Sequence, residues 1–321
     1  MNDHNTTQQT GSMLARFTGD TVSRAKAWAS LPADELRRRA VTAANDRNCA
    51  ELWGLTEAFL LLHGSAGAKV SPHTREAYRL GVRDLCRAWQ AENLLRPSRD
   101  AAPVWLRTLE DEGKSPATCR VKVAAARALY RALRWAGATS VAPFEDARPA
   151  RDPTPAWDKR QPYSRDELER LLDRASPEDR AMVLLGAHAG LRVGEITALR
   201  WADVDLEAGE LTTTGKGMKV RHVPLSASLT AALQEVGRSG DERIFPFTVS
   251  NARYRMRVLC RRAGVSYKGM HSLRHAAGTR LYAETGSLED CARHLGHASV
   301  ETSRTYAKWS DEGLKGTVRG W

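Results

Sequence analysis

Between Asn251 and Arg280 the sequence carries Arg253, Arg255, Arg257, Arg261, Arg262, Lys268, Arg274 and Arg280, with no acidic residue among them. Charge segregation of that kind calls for a polyanion, whose phosphates guanidinium and ammonium groups neutralise. Inside the stretch lies His271-Ser-Leu-Arg274-His275, followed by His294-Leu-Gly-His297 and then Tyr306. Four histidines at three- and four-residue spacing first raise a metal centre. The glutamate of a His-Glu-x-x-His helix is missing, however, and Arg274 would set a permanent cation beside the ion. Imidazoles here fit proton transfer and hydrogen bonding better than metal ligation. Taken singly, His271 is explained as a capping or core histidine and Tyr306 as a core aromatic, so the weight falls on the set.

These residues need elements to hold them. Residues 1–45 open with a Thr/Gln/Asn-rich tail and turn charged and Ala-rich at Asp34–Ala44, which predicts a partly disordered extension with at least one helix. From Ala50 onward Leu52, Leu55, Phe59 and Leu62 recur at helical spacing. Ser71-Pro72 and Ser115-Pro116 each place a capping serine before a proline at the first helical position. Buried stripes follow at Tyr78, Val82, Leu85, Trp89 and at Val121, Ala125, Leu129, Leu133. Residues 46–145 are thus expected to form a compact domain of about four helices. Residues 146–162, with Pro149, Pro153, Pro155 and Pro162, predict a stiff linker.

Residues 163–321 begin with a capping box, Ser164 to Glu167, and a second helix start at Ser176-Pro177. Three short β-prone runs then follow, Trp201–Leu206, Glu210–Thr214 and Val220–Leu225, with turn residues at Glu207–Gly209 and Gly215-Lys216-Gly217. They predict a small three-stranded antiparallel sheet, after which helical patterning resumes at about Ser226. The fold class is mainly α.

Composition narrows the function. Among 321 residues, 49 Lys and Arg stand against 38 Asp and Glu, a formal charge of +11 that favours nucleic acid as partner. The apolar runs, such as Ala181–Leu185, are far short of the roughly 20 residues of a membrane helix. The first thirty residues lack an apolar export core. Cys49, Cys86, Cys119, Cys260 and Cys291 are scattered and odd in number, as reduced thiols of a cytoplasmic protein would be. Gly215-x-Gly217 alone is too little for a nucleotide-binding loop, so ATP dependence finds no support.

In order along the chain stand Ala189-Gly-Leu-Arg192-Val-Gly-Glu195, Thr214-Gly-Lys216-Gly, His271-x-x-Arg274, Leu295-Gly-His297 and Tyr306. This series resembles the tyrosine recombinase (phage integrase) family, Xer-type recombinases most closely. The likeness covers about Pro162 to Lys308 and reaches into the helical domain through Ser71-Pro-His-Thr-Arg-Glu-Ala-Tyr78. It implies an N-terminal four-helix, SAM-like core-DNA-binding domain and a mostly helical catalytic domain, closing as a clamp on double-stranded DNA. It further implies a homo- or hetero-tetramer of protomers on two DNA sites, with the apolar tail bearing Trp309, Leu314, Val318 and Trp321 packed on a neighbour; docking on its own domain is the alternative. No cofactor is expected, and no membrane partner.

The resemblance also assigns roles. Tyr306 would attack a scissile phosphate to give a 3′-phosphotyrosyl link and a free 5′-hydroxyl. A phenol, with a pKa of about 10, is both a usable nucleophile and a good leaving group for the reverse ligation. Arg192 and Arg274 would grip the non-bridging oxygens as bidentate, permanently charged donors. His297 would add a hydrogen bond and His271 accept the phenol proton, while Lys216 would protonate the departing 5′-oxygen. Lys219 and Lys122 are weaker candidates for that last role. Glu195 would hold the site together from three residues beyond Arg192. The remaining basic residues, Arg253, Arg255, Arg257, Arg261, Arg262 and Lys268, are expected on DNA.

Three readings share these features: a Xer-like recombinase resolving chromosome dimers or its relative, a mobile-element integrase; a DNA-binding regulator that does not cut; and a type IB topoisomerase. A tail before Asp34 too short for a separate folded arm-binding domain favours the Xer-like type.

Overall fold

The computed structural model describes residues 21–65, 67, 70–155, 160–215, 220–237, 242–297 and 299–309. Their contacts divide the chain between Pro153 and Thr154 into two compact units.

The first unit is all-helical. Residues 21–29 form α1, followed by α2 (Ala33–Asn45), α3 (Cys49–His63), α4 (Pro72–Ala88), α5 (Ala101–Asp111) and α6 (Pro116–Trp135). The serine–proline starts act as expected. The Ser71 hydroxyl accepts from the Thr74 N–H at 3.1 Å and Ser115 does the same for Thr118 at 3.2 Å, which satisfies backbone donors that an uncapped helix would leave open. Val82 and Leu85 on α4 face Val123, Leu129 and Leu133 on α6 in one core. The two helices cross closely because α4 has a glycine at the crossing: a Cβ on Gly81 would come within 2.5 Å of that of Ala125. Trp89 stacks on Phe144 at 5.4 Å, and Arg127 donates to the carbonyls of Phe144, Glu145 and Ala147. The start of the proline-bearing segment is therefore held on the first unit.

Residues 21–45 hold the expected helix and a second one, and both are docked. Ala25, Trp28, Leu36, Ala40, Ala43 and Ala44 are all buried in the same core as α3 and α4. Trp28 lies under the Arg39 guanidinium, 4.0 Å from the ring centroid, and against Gly54 of α3. Glu57 of α3 pairs with both Arg24 of α1 and Arg75 of α4 at 3.4 Å. The composition misleads because alanine-rich, charged helices carry a weak hydrophobic stripe. Among the described residues, 46–145 hold four helices, α3 to α6, and α1 and α2 add two more to the first unit. Residues 1–20 lie outside the described residues.

In the second unit α7 (Arg165–Asp173) precedes α8 (Pro177–Ala187), whose Ala181–Leu185 run is fully buried and touches α7, α9 (Val193–Ala198), α10 (Ala227–Val236), α11 (Val249–Arg262) and α12 (His271–Thr285). The sheet has order β1 (Val204–Asp205), β2 (Glu210–Thr214), β3 (Val220–Pro224), all antiparallel, with Leu211 opposite Val223 and Thr213 opposite Arg221. Trp201–Asp203, expected as strand, forms a 3-10 turn instead, tied by the Asp203 carboxylate accepting from the Arg200 N–H. After α12 come α13 (Leu288–Leu295), a 3-10 turn at Val300–Ser303 and α14 (Arg304–Trp309). The apolar tail beyond Trp309 lies outside the described residues.

Candidate active site

Arg192 caps the start of α9. Glu195, three residues on, accepts from the Arg192 backbone N–H at 2.9 Å and from its guanidinium at 2.8 Å. Burial would raise this carboxyl's pKa, but those two hydrogen bonds and the charges of Arg221 and Arg192 outweigh it and hold it below the usual range. Arg192 keeps 39% of its side-chain surface open, whereas Glu195 keeps 9%. The pair therefore presents a guanidinium outward on a buried carboxylate base.

Arg274, on α12, is 1% exposed. Its guanidinium donates to the carbonyls of Gly190 and Leu295, joining the loop before Arg192 to the end of α13. Gly190 is at φ +64° and leaves room for Leu295, whose Cδ2 would stand 2.3 Å from any Cβ there. Burial, together with the charges of Arg192 and Arg221, pulls the Arg274 pKa down to about 10. Three arginines around one carboxylate leave an excess of positive charge at the site. An incoming phosphate oxygen would relieve it.

α12 also carries His271 and His275, one turn apart, with ring centroids 4.5 Å apart. Desolvation of the His271 ring and the charges of Arg274, Arg160 and Arg192 pull its pKa down to about 4. At neutral pH its ring is uncharged and able to accept a proton. His297 follows the left-handed Gly296 that ends α13; its Nδ1 lies 2.9 Å from the Ser303 hydroxyl. Desolvation and the cations Arg274, Arg192 and Arg221, with His271, push it to about 4.

Tyr306 on α14 stacks on His297 at 5.9 Å with 15° between planes and lies 6.1 Å from the His275 ring. It is 2% exposed and belongs to a small cluster with Ala277, Cys291 and Leu295. Burial raises its phenol to about 12, although Arg274 and Arg192 pull the other way.

Arg192, Glu195, His271, Arg274, His297 and Tyr306 thus converge within one unit. Lys216 and Lys219 lie outside the described residues, and Lys122 pairs with Asp84 in the first unit. The expected DNA-contacting set divides. Arg253, Arg257 and Arg261 lie on one exposed face of α11, with Arg257 over the Tyr267 ring at 5.2 Å. Arg255, Arg262 and Lys268 have structural partners instead: Arg255 pairs with Asp179 and Glu178, each at 2.7 Å, Arg262 donates to the Arg174 carbonyl, and Lys268 binds Glu167 at 2.6 Å and the Pro162 carbonyl. His294, weighed as a metal ligand, has its Nε2 2.8 Å from the His188 carbonyl oxygen. Among the described residues no three His, Cys, Asp or Glu side chains are placed to share a metal ion.

Sequence reasoning missed Arg221, Ser303 and Gly278. Arg221 had a signal: it is a charged residue in phase with Leu211, Thr213 and Val223 on the inward face of a strand pair. Gly278 meets the Tyr306 ring, whose Cζ would be 2.5 Å from a Cβ; nothing in the local pattern of α12 marks it.

The phage integrase family matches residues 163–312, and the phage integrase N-terminal SAM-like domain matches residues 65–137. Tyrosine recombinase XerC of Xanthomonas axonopodis pv. citri is 30% identical over 269 residues, covering 74% of this chain and 87% of the relative. XerC of Xanthomonas campestris pv. campestris is 28% identical over 297 residues, covering 87% of this chain and 91% of the relative. Among solved structures, XerH recombinase bound to its palindromic difH substrate superposes with a TM-score of 0.64 at 19% identity over 93% of this chain and 96% of that one. A lambda integrase tetramer on a Holliday junction gives 0.65 at 19% identity, covering 79% and 76%. The chain belongs to the tyrosine recombinase (phage integrase) family. It is a Xer-like, site-specific DNA strand-exchange enzyme. Among the described residues no helix is long and apolar enough to cross a membrane.

Proposed function

We propose that the protein cuts and rejoins double-stranded DNA at a defined site, with Tyr306 as nucleophile, and that it acts in the cytoplasm in chromosome dimer resolution as a tetramer on two DNA sites. The observation that carries the residue assignment is the convergence of Arg192, Arg274, His271 and His297 on Tyr306 in the second unit. The similarity to XerC relatives over most of their length supports the Xer-like role.

Tyr306 Oη attacks phosphorus, and the bond to the 5′-oxygen breaks. The phosphoryl group passes to the phenol as a 3′-phosphotyrosyl ester, so the ester energy is retained and the reverse step rejoins the strands. His271, neutral at working pH, takes the phenol proton. Lys216 gives a proton to the 5′-oxygen, completing the balance. Arg192 and Arg274 hold the non-bridging oxygens as negative charge builds there. In the tautomer whose Nδ1 accepts from the Ser303 hydroxyl, 2.9 Å away, His297 holds its proton on Nε2 and donates it to the same group. Loss of one such preorganised donor costs on the order of 10²–10³ in rate.

A DNA duplex nicked beside the cleavage position traps the intermediate. The wild type gives a covalent protein–DNA adduct in the presence of chelator, and Tyr306→Phe gives none. An adduct that survives in Tyr306→Phe refutes the assignment.

A further inference from the structure

The strand that leads out of residues 215–219 carries, at an inward position, a side chain to which the strand-transfer chemistry outlined above gives no role. Arg221 has 11% of its side chain exposed. One guanidinium nitrogen donates to Glu195 Oε2 at 3.1 Å, and another donates to the carbonyl of His294 at the end of α13. The stem runs past Gly296, where a Cβ would stand 2.9 Å from Arg221 Cδ. Gly296 therefore serves twice, as the left-handed end of α13 and as the gap through which the arginine passes.

The two acceptors belong to the two arms of the site. Glu195 orients Arg192, and the His294 carbonyl begins the turn that delivers His297. Arg274 links the same two segments at Gly190 and Leu295, but from α12. Arg221 alone among the described residues ties both to the sheet, on the strand that follows the Lys216 segment in the chain.

We propose that Arg221 is a positioning residue for strand transfer, keeping Arg192 and His297 in register with each other and with the strand that follows Lys216. This rests on the recombinase reading above. A buried charge of this kind is expensive unless both ends are satisfied. Here they are, by a carboxylate and a carbonyl that belong to different segments. A shift of about 1 Å in either arm suffices to cost on the order of 10²-fold in rate.

The test compares Arg221→Gln and Arg221→Lys with wild type in three measurements: DNA affinity by gel shift, adduct formation on the nicked duplex at saturating protein, and titration of the His297 ring by NMR without DNA. The groups facing His297 are Arg274, Arg192, Arg221, His271, His275, Ser303 and the Tyr306 ring. Arg221→Gln is expected to bind DNA as wild type does, to lose on the order of 10²-fold in adduct rate, and to move the His297 titration upward because one nearby cation is gone. Arg221→Lys keeps the charge and restores the titration, and it recovers part of the rate because one ammonium reaches one of the two acceptors. An adduct rate for Arg221→Gln within about threefold of wild type overturns the proposal, as does a rate loss matched by an equal loss of affinity. Should neither variant be obtained folded, Arg221 is a strut of the core and the proposal falls. A wild type that forms no adduct fails the recombinase reading instead, and the His297 titration then decides separately whether Arg221 couples to that arm.

Discussion

The Tyr306 ring is stacked on His297, with centroids 5.9 Å and planes 15° apart, and its hydroxyl-bearing end is sealed against Gly278 of α12. At 2% exposure the phenol cannot meet a phosphate where it sits. The attack proposed for Tyr306 requires the ring to leave this seat, and the seat exists because position 278 has no side chain. Gly278→Ala would put a methyl group 2.5 Å from Cζ, at an overpacking cost of about 1–3 kcal/mol if the ring stayed. The ring is therefore expected to move out, and the Tyr306 titration to fall from about 12 toward the ordinary phenol value near 10. NMR of ring-labelled tyrosine reads this directly. An unchanged titration would mean that the contact with α12 is not what buries the phenol.

Acid should weaken the free protein through the same site. An unfolded histidine binds its proton near pH 6.5, whereas the folded protein keeps His297 and His271 neutral down to about 4. Between those values the unfolded chain binds more protons, so the stabilisation is complete above about pH 6.5 and is lost as the pH falls toward 4. Thermal unfolding midpoints should drop across that window, and the slope should flatten in His297→Gln. A slope equal to wild type would remove His297 from the account.

Much of this site is legible in the sequence, because its residues combine rare types in motifs too specific to arise by chance. Arg192 with Glu195, His271 with Arg274, and His297 before Tyr306 are each recognisable without coordinates. The serine–proline helix starts are equally local, since a cap and its proline act within one turn. What escapes is whatever depends on a distant partner. Arg255 and Lys268 look identical to their exposed basic neighbours until Asp179 and Glu167 are folded against them. Arg221 and Gly278 matter because of Glu195, His294 and Tyr306, all far along the chain. The docking of residues 21–45 escapes for another reason: alanine buries little area per residue, so it leaves a faint pattern.

Trp28 gives that N-terminal docking a measurable consequence. It is 6% exposed and lies between Arg39 and Gly54. Trp28→Ala should cost about 3–5 kcal/mol of the first unit's stability, read as a lower urea midpoint at unchanged slope. A midpoint equal to wild type would return residues 21–45 to the status of a loose extension.

The division of the basic residues on and around α11 predicts two kinds of variant. Arg253, Arg257 and Arg261 repeat every four residues on an exposed face. Replacing any one by alanine should weaken DNA binding at low salt and reduce the slope of log affinity against log salt by about 1. Protein stability should stay within about 0.5 kcal/mol of wild type, since exposed positions of this kind contribute little to folding. Arg255→Ala should do the reverse. It removes the partner of Asp179, a carboxylate only 6% exposed, and of Glu178. Breaking such a partly buried pair is expected to lower stability by about 3 kcal/mol, while the salt slope of binding is unchanged. If Arg255→Ala flattened the salt slope as much as Arg257→Ala, the internal pairing would give way to DNA when the duplex arrives, and Arg255 would rejoin the phosphate-contacting set.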